Sequence, residues 1–416
     1  MTILKNLFEK RKIALAVLFL LLFFQLFFSF IYPSCPRPGT GHSWLSLPEL
    51  ISHKQSSLGS SDISIINKIA PFFSKYNVNA DGGVYILLAE DFPQYFFKNP
   101  IYLGLPLYSF LVSSAAFLPR LIFDSFATVF ASAIFLNFIL AFGVILLLYL
   151  LVEKLISSRV AFLSCFLYIF SPLVHCGLPQ PTAETYGAFI MMASIYMLYS
   201  YIKNPSHLKL IVFSLIIGIF MLGKMFFAIS IFILLLALYF KRYKEGALFL
   251  AIHLIPLAFW YFWVTQVFGL EYYSNEAEFG AVVWLLKIFS WPWHQTAQAF
   301  LNVIPRFVSA VIYGFLLLPV IFALIGFKKL LLKNKEIFCL GLILSFLALF
   351  FISNFYEPRH AFYLFPMIYP LAILGIDRTA DFLKRYKNWY GLIFYLIVFI
   401  LLLVISNADI HKILVC

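Results

Sequence analysis

Residues 13–32 read IALAVLFLLLFFQLFFSFIY, immediately after the basic stretch Lys10-Arg11-Lys12. A helix needs about 20 apolar residues to cross a hydrocarbon core of about 30 Å, and this run supplies them with Gln25 and Ser29 as its main polar interruptions. Signal-peptide cores are shorter, about 7–15 residues, and end in a small-x-small cleavage site; none follows here. The run is therefore expected to be a retained signal anchor. Comparable apolar runs recur near 101–119, 126–151, 159–175, 186–202, 208–222, 225–240, 247–268, 303–327, 337–353, 361–376 and 389–406. Across the 416 residues, 63% are hydrophobic and only 12% charged, with 51 Phe and 24 Tyr. In water such a chain would expose far too much hydrocarbon. The expectation is an all-α integral membrane protein, one polytopic domain over 1–416, with about 11 to 13 transmembrane helices.

The net charge of +12 invites a comparison with nucleic-acid binding, but its placement excludes that class. The cations gather beside helix ends, at Lys10–Lys12, Lys241–Lys244, Lys328–Lys335 and Arg378–Lys387. Short basic loops of this kind orient membrane proteins, and no compact basic domain exists to grip phosphates. With these loops cytoplasmic, the N-terminus is cytoplasmic and the polar segments 33–100 and 269–300 are extracytoplasmic. Counting crossings from both ends leaves a mismatch of one near residue 110. Two readings resolve it: 101–119 is re-entrant or surface-lying, or 118–152 contains two short helices. Of the cysteines, Cys165 and Cys339 fall in apolar runs, where small hydrophobic residues belong. Cys35 and Cys176 share the outer side, and a disulfide between them is one option that spacing alone does not decide.

The segment 33–100 is too long for a plain connection. Its stretches LSLPELISH, DISIINKIAPFFSKY and VYILLAEDFPQYFF mix apolar and polar residues at helical spacing, as helices lying at a membrane interface do. Within it NADGGVY, residues 79–85, places Asp81 beside two glycines. Glycines permit close approach or a positive-φ turn. An aspartate before a helical run is also an ordinary N-cap.

These features resemble the multi-pass membrane glycosyltransferases of the GT-C fold, the superfamily of protein O-mannosyltransferases and the lipid A aminoarabinose transferase. In that family a large first outer loop bears an acidic residue followed by an aromatic and a small one; Asp81, Tyr85 and Ala89 match. Gly82 stands where the family usually has a second acid. KNPIYLGLPLYSF resembles the Pro- and Tyr-rich entry to the next helix, at Pro100, Tyr102, Pro106 and Tyr108. VEKLISSRVAFLSCFLYIFSP is similar to the basic turn leading into a helix that ends in Ser171-Pro172, with Glu184 following. GIFMLGKMFF carries Gly218 and Lys224, and EPRHAFYLFPMIYPLAILG carries Arg359, Pro366 and Pro370, with His360 in place of the usual Tyr. The likeness spans about residues 13–376. It implies a GT-C-like bundle, in a bacterial inner or plasma membrane, that transfers a sugar from a polyprenyl-phosphate donor to a hydroxyl acceptor on the outer face.

Such a transfer needs a base for the acceptor and positive charge for the departing phosphate. Asp81 is the candidate base. Arg359 and Lys224 are candidates for the phosphate, the guanidinium because its planar fork grips phosphate, although a lysine at this level also snorkels with no other role. His360, Tyr85 and Glu184 complete the candidate substrate-binding set; Glu184 reads equally as an acceptor-site acid, a metal helper or a structural tether. No metal motif is present, and no cofactor is expected beyond a divalent cation of the kind some relatives need. Membrane lipid is the remaining expected partner. The competing classes are a secondary transporter or flippase, which would show matching halves with broken helices, a scaffold that keeps the fold without catalysis, and an oligosaccharide polymerase or ligase, whose large outer loop usually lies late in the chain.

Overall fold

A computed structural model describes residues 10–31, 85–86, 88–90, 92, 106–122, 126–171, 174, 177–181, 183–223, 227–268, 292–298, 301–302, 304–305, 308, 317–331, 341, 343 and 365–407. All regular structure among them is helical. The longer helices are α1 (Arg11–Ile31), α2 (Pro106–Arg120), α3 (Phe126–Leu155), α4 (Ser158–Ile169), α5 (Glu184–Lys203), α6 (His207–Met221), α7 (Phe227–Tyr239), α8 (Tyr243–Phe268), α9 (Leu317–Leu331), α10 (Phe365–Lys384) and α11 (Asn388–Asn407). Two spans, Ala127–Leu155 and Tyr243–Gln266, have the length and hydropathy to cross a membrane by themselves; Ser158–Ile169, His207–Met221, Leu318–Phe327 and Trp389–Leu401 are apolar but shorter. The larger number expected from the sequence is thus met by two helices among the described residues.

Basic and polar turns gather at one end of this bundle. Arg11, opening α1, meets Glu153 near the close of α3 at 2.6 Å. That contact raises the Arg11 guanidinium above its ordinary range, through the hydrogen bond first and the charge second. Arg159 at the start of α4 reaches Asp377 of α10 at 3.2 Å and Tyr395 of α11 at 2.9 Å. Tyr201, closing α5, donates to Glu245 of α8 at 2.5 Å, and Arg242 joins that carboxylate at 3.2 Å. The polar chemistry of these turns also starts the helices. Ser157 accepts from the Val160 amide and Ser206 from the Lys209 amide, capping α4 and α6, each cap contributing about 1 kcal/mol. Between α7 and α8, Lys241 adopts φ 55, and the Arg242 amide bonds back to the Ala237 carbonyl at 2.9 Å, the six-to-one closure of a Schellman cap.

With one end fixed in this way, the direction of each helix follows, and the mismatch near residue 110 resolves. Helix α3 is continuous over Phe126–Leu155, which removes the reading of two short helices there. Helix α2 begins beside the far end of α6, where the Leu107 amide donates to the Leu222 carbonyl at 3.3 Å. It closes at Arg120, just before α3 opens at the same far end. Both of its ends therefore lie away from the basic end, and it makes no crossing of the bundle.

Side-chain volume sets how closely the helices meet. Gly218 of α6 sits against the His253 carbonyl of α8, and Gly326 of α9 and Gly375 of α10 each press on the other helix's backbone. Small residues at such crossings let two backbones approach and gain van der Waals contact. His253 is buried and its ring shares a 2.9 Å hydrogen bond with the Ser230 hydroxyl of α7, so a polar pair joins α7 to α8 within largely apolar packing. Cys165 is a free, buried thiol, as its apolar setting predicts. The perimeter carries large exposed apolar side chains, among them Phe23, Phe24 and Phe27 of α1 and Phe259 and Phe262 of α8, a surface suited to hydrocarbon rather than water.

Candidate active site

The end of the first polar loop is seated on the bundle. Residues 85–86 and 88–90 are helical, with Ile86, Leu88 and Ala89 fully buried and Tyr85 8% exposed. The Tyr85 ring meets Tyr108 edge-on at 5.1 Å, and Phe92 meets Phe110 at 5.6 Å. Arg120 donates from Nη1 to the Glu90 carbonyl at 2.6 Å. Every one of these contacts is to α2. The non-crossing helix thus serves as the platform on which residues 85–86, 88–90 and 92 rest at the far end of the bundle.

Tyr108 is the hub of that platform. Its hydroxyl donates to Asn137 Oδ1 at 3.1 Å, and Asn137 Nδ2 donates to the Gln180 carbonyl at 2.7 Å. The Tyr186 ring of α5 lies 6.0 Å from that of Tyr108, and its hydroxyl donates to the Phe220 carbonyl of α6 at 2.8 Å. A Cβ at Gly223 would overlap the Tyr186 ring, so only glycine lets the end of α6 close down on α5. One polar and aromatic cluster therefore joins the loop, α2, α3, the turn at 177–181, α5 and α6.

Glu184 enters the same cluster. It occupies the first turn of α5, where a carboxylate suits the positive end of the helix dipole. It is only 5% exposed and lies two residues before Tyr186 on the same helix. Nearby, the Ser171 hydroxyl donates to the Tyr168 carbonyl at 2.7 Å and accepts from the Val174 amide at 3.3 Å, turning the chain at the end of α4. The Ser171 side chain also lies beside the Tyr369 phenol near the start of α10. The opening turns of α10 consequently belong to this end of the bundle as well.

Of the six candidate residues, Tyr85 and Glu184 are described: Tyr85 packs on Tyr108, and Glu184 opens the helix whose Tyr186 ring lies 6.0 Å from Tyr108. Asp81, Lys224, Arg359 and His360 lie outside the described residues, as do Cys35 and Cys176. Their chain neighbours are informative: Asp81 precedes Tyr85 by four residues, Lys224 follows Gly223 directly, and Arg359 precedes Tyr369 by ten. All three neighbours sit at the far end. Sequence reasoning passed over Asn137 and Gln180. The signal was there for Asn137: an amide at 0% exposure inside the apolar run FLNFIL must find partners. Among the described residues, no group of three His, Cys, Asp or Glu is placed to hold a metal ion.

The Asn137 link makes a direct prediction. Asn137→Leu leaves the Tyr108 hydroxyl and the Gln180 carbonyl without these partners in a buried setting, and should destabilise the protein by about 1–3 kcal/mol. Adding Tyr108→Phe removes one stranded group and should recover part of that loss. Thermal unfolding of the single and double variants in detergent measures both; an additive double variant would mean the two side chains are not coupled.

Residues 114–265 match the family model described as dolichyl-phosphate-mannose-protein mannosyltransferase. The structure of ArnT from Cupriavidus metallidurans bound to undecaprenyl phosphate aligns at 15% identity and a TM-score of 0.50, covering 72% of this chain and 56% of that one. The oligosaccharyltransferase of Archaeoglobus fulgidus, tethered to an acceptor peptide, aligns at 15% identity and a TM-score of 0.45, covering 74% and 47%. The chain spans little more than half the length of ArnT. No curated protein matches it in sequence. The chain has an all-α fold remotely similar to that of the GT-C membrane glycosyltransferases.

Proposed function

We propose that this protein is a GT-C-type glycosyltransferase that moves a sugar from a polyprenyl-phosphate donor to a hydroxyl acceptor at the membrane face opposite its basic end. The observation that carries the reading is the seating of residues 85–90 on the Tyr108 cluster. It brings the chain that follows Asp81 to the end of the bundle where the chain beside Lys224 and after Arg359 also lies. The family match over 114–265 and the ArnT-like fold support it. In this reading the chain is multi-pass, with its N-terminus and basic turns cytoplasmic and 33–100 and 269–300 extracytoplasmic.

The chemistry follows from those positions. The Asp81 carboxylate takes the proton of the acceptor hydroxyl, and the oxygen forms a bond to the anomeric carbon of the donor. The bond from that carbon to the phosphate oxygen breaks, and the polyprenyl phosphate leaves with the electron pair. Arg359 and Lys224 offset the charge that develops on it, and His360 donates to the same phosphate. Tyr85 holds the acid-bearing segment in place, and Glu184 orders the acceptor side. A divalent cation, where the donor brings one, would be held by Asp81 and would supply further positive charge for the departing phosphate.

The test is incubation of the purified protein with a panel of polyprenyl-phosphate sugars and crude membrane acceptors. Transfer of label from one donor class to an acceptor is expected. Donor binding without any transfer would instead favour a scaffold, the reading that Gly82 in place of a second acid keeps open. Carrier movement across vesicles without bond cleavage would favour a flippase.

A further inference from the structure

The basic end carries an apolar stripe that leads directly from a group of cations. On α11, Trp389, Leu392, Ile393, Leu396, Ile397, Ile400 and Leu401 are all exposed. Their spacing of three and four places them on one helical face. The opposite face packs inward through Gly391, Phe394, Val398 and Phe399. From Trp389 to Leu401 the stripe runs about 18 Å, close to the about 15 Å of one bilayer leaflet's hydrocarbon. At its head lies the α10–α11 turn with Arg385 and Lys387, both exposed, and Arg378 two turns earlier on the face of Arg385. Lys384 is taken up by Asp381 at 3.1 Å, and Lys387 leans over the Tyr390 ring at 5.9 Å. Among the described residues, neither Arg385 nor Lys387 meets a carboxylate. Phe382 and Tyr386 pack edge to face beside them, and Trp389 against Tyr390, forming an aromatic collar between cations and stripe.

We infer that this face is a binding site for an anionic phospholipid of the leaflet that the basic end meets. The headgroup phosphate sits at Arg385 and Lys387, and an acyl chain lies along the α11 stripe. Charge complementarity selects the headgroup, the length of the stripe matches the chain, and the aromatic collar marks the level of the interface. A zwitterionic lipid would fit the stripe equally well but would bring its own cation to the turn. The inference rests on the membrane-embedded part of the proposed function and is independent of sugar transfer.

The experiment uses the intact protein reconstituted in phosphatidylcholine bilayers that contain a minor fraction of bromine-labelled phosphatidylglycerol or, separately, bromine-labelled phosphatidylcholine. Quenching of Trp389 is taken as the difference between the protein and its Trp389→Phe variant. At equal mole fraction the anionic lipid should quench more strongly, and raised salt should erase the difference. Arg385→Gln with Lys387→Gln should lower the preference about tenfold while leaving quenching by labelled phosphatidylcholine intact, which reports that the stripe still faces lipid and the fold persists. Equal quenching by the two lipids, or a preference that survives the double substitution, would overturn the site. Quenching by neither would also overturn it, by showing the stripe covered, and would count against membrane embedding. A protein that binds the lipid yet transfers no sugar would leave this inference standing while the proposed activity failed.

Discussion

Gly375→Leu is expected to yield no folded protein, whereas Gly375→Ala should yield a weakened one. A Cβ at Gly375 would overlap the Phe322 carbonyl and lie 3.0 Å from its Cα, and a Cβ at Gly326 would overlap the Leu371 carbonyl. In both cases the obstacle is backbone, so no rotamer change can relieve it and the helices themselves must part. Overpacking a core costs about 1–3 kcal/mol even where side chains can shift. A branched side chain forced into a backbone crossing should exceed that, a large share of a total stability of about 5–15 kcal/mol. Gly143 supplies the contrast. Its Cβ would meet only the Phe189 ring, at 2.7 Å, and a ring can turn aside, so Gly143→Ala should cost about 1 kcal/mol or less. The measurements are the monodisperse fraction after detergent extraction and the unfolding midpoint by intrinsic fluorescence. A Gly375→Leu protein with an unchanged midpoint would refute the close crossing.

Most of the helices were legible because apolar runs have a length, and length is what a bilayer or a bundle selects. The run at 126–151 became Phe126–Leu155 and the run at 208–222 became His207–Met221. Where the sequence boundary failed, polarity was the reason. Helix α10 continues to Lys384, beyond the apolar run ending at 376, because its polar last turns still pack: Asp377 pairs with Arg159 and Ala380 is buried against α11. The role of α2 was legible only as one of two options, a re-entrant or surface-lying 101–119 against two short helices within 118–152. Its apolar residues have the same helical spacing as those of a crossing helix, and only the contact from Leu107 to Leu222 reveals that it starts and ends at one side. The site divides in a similar way. Tyr85, Ala89 and Glu184 were singled out by the resemblance, and the sequence gives no sign of how they are packed. The packing that joins Tyr85 to Tyr186 through Tyr108 depends on residues more than twenty apart in sequence, which periodicity does not encode.

Asp81→Asn is expected to lower transfer by about 100-fold or more while leaving stability and donor binding unchanged. The substitution separates the two roles open to this residue. As an N-cap of the helical turn that seats Tyr85 and Ala89, an aspartate is matched by asparagine, since both present an oxygen to the free amides of the first turn. As a general base it is not matched, because a carboxamide cannot take the acceptor proton; loss of such a base typically costs about 100- to 10,000-fold. A capping role therefore predicts normal transfer in Asp81→Asn and a loss of about 1 kcal/mol in Asp81→Ala. A catalytic role predicts that both variants fail in turnover and only the alanine variant is destabilised. The readouts are kcat and KM for transfer from the preferred polyprenyl-phosphate sugar, with the unfolding midpoint measured on the same preparations. A fall confined to kcat places the defect in the chemical step. A rise in KM alone would mean that the carboxylate positions substrate. Undiminished transfer by Asp81→Asn would remove this residue from the mechanism, and Glu184, buried in the first turn of α5, would become the acid to test next.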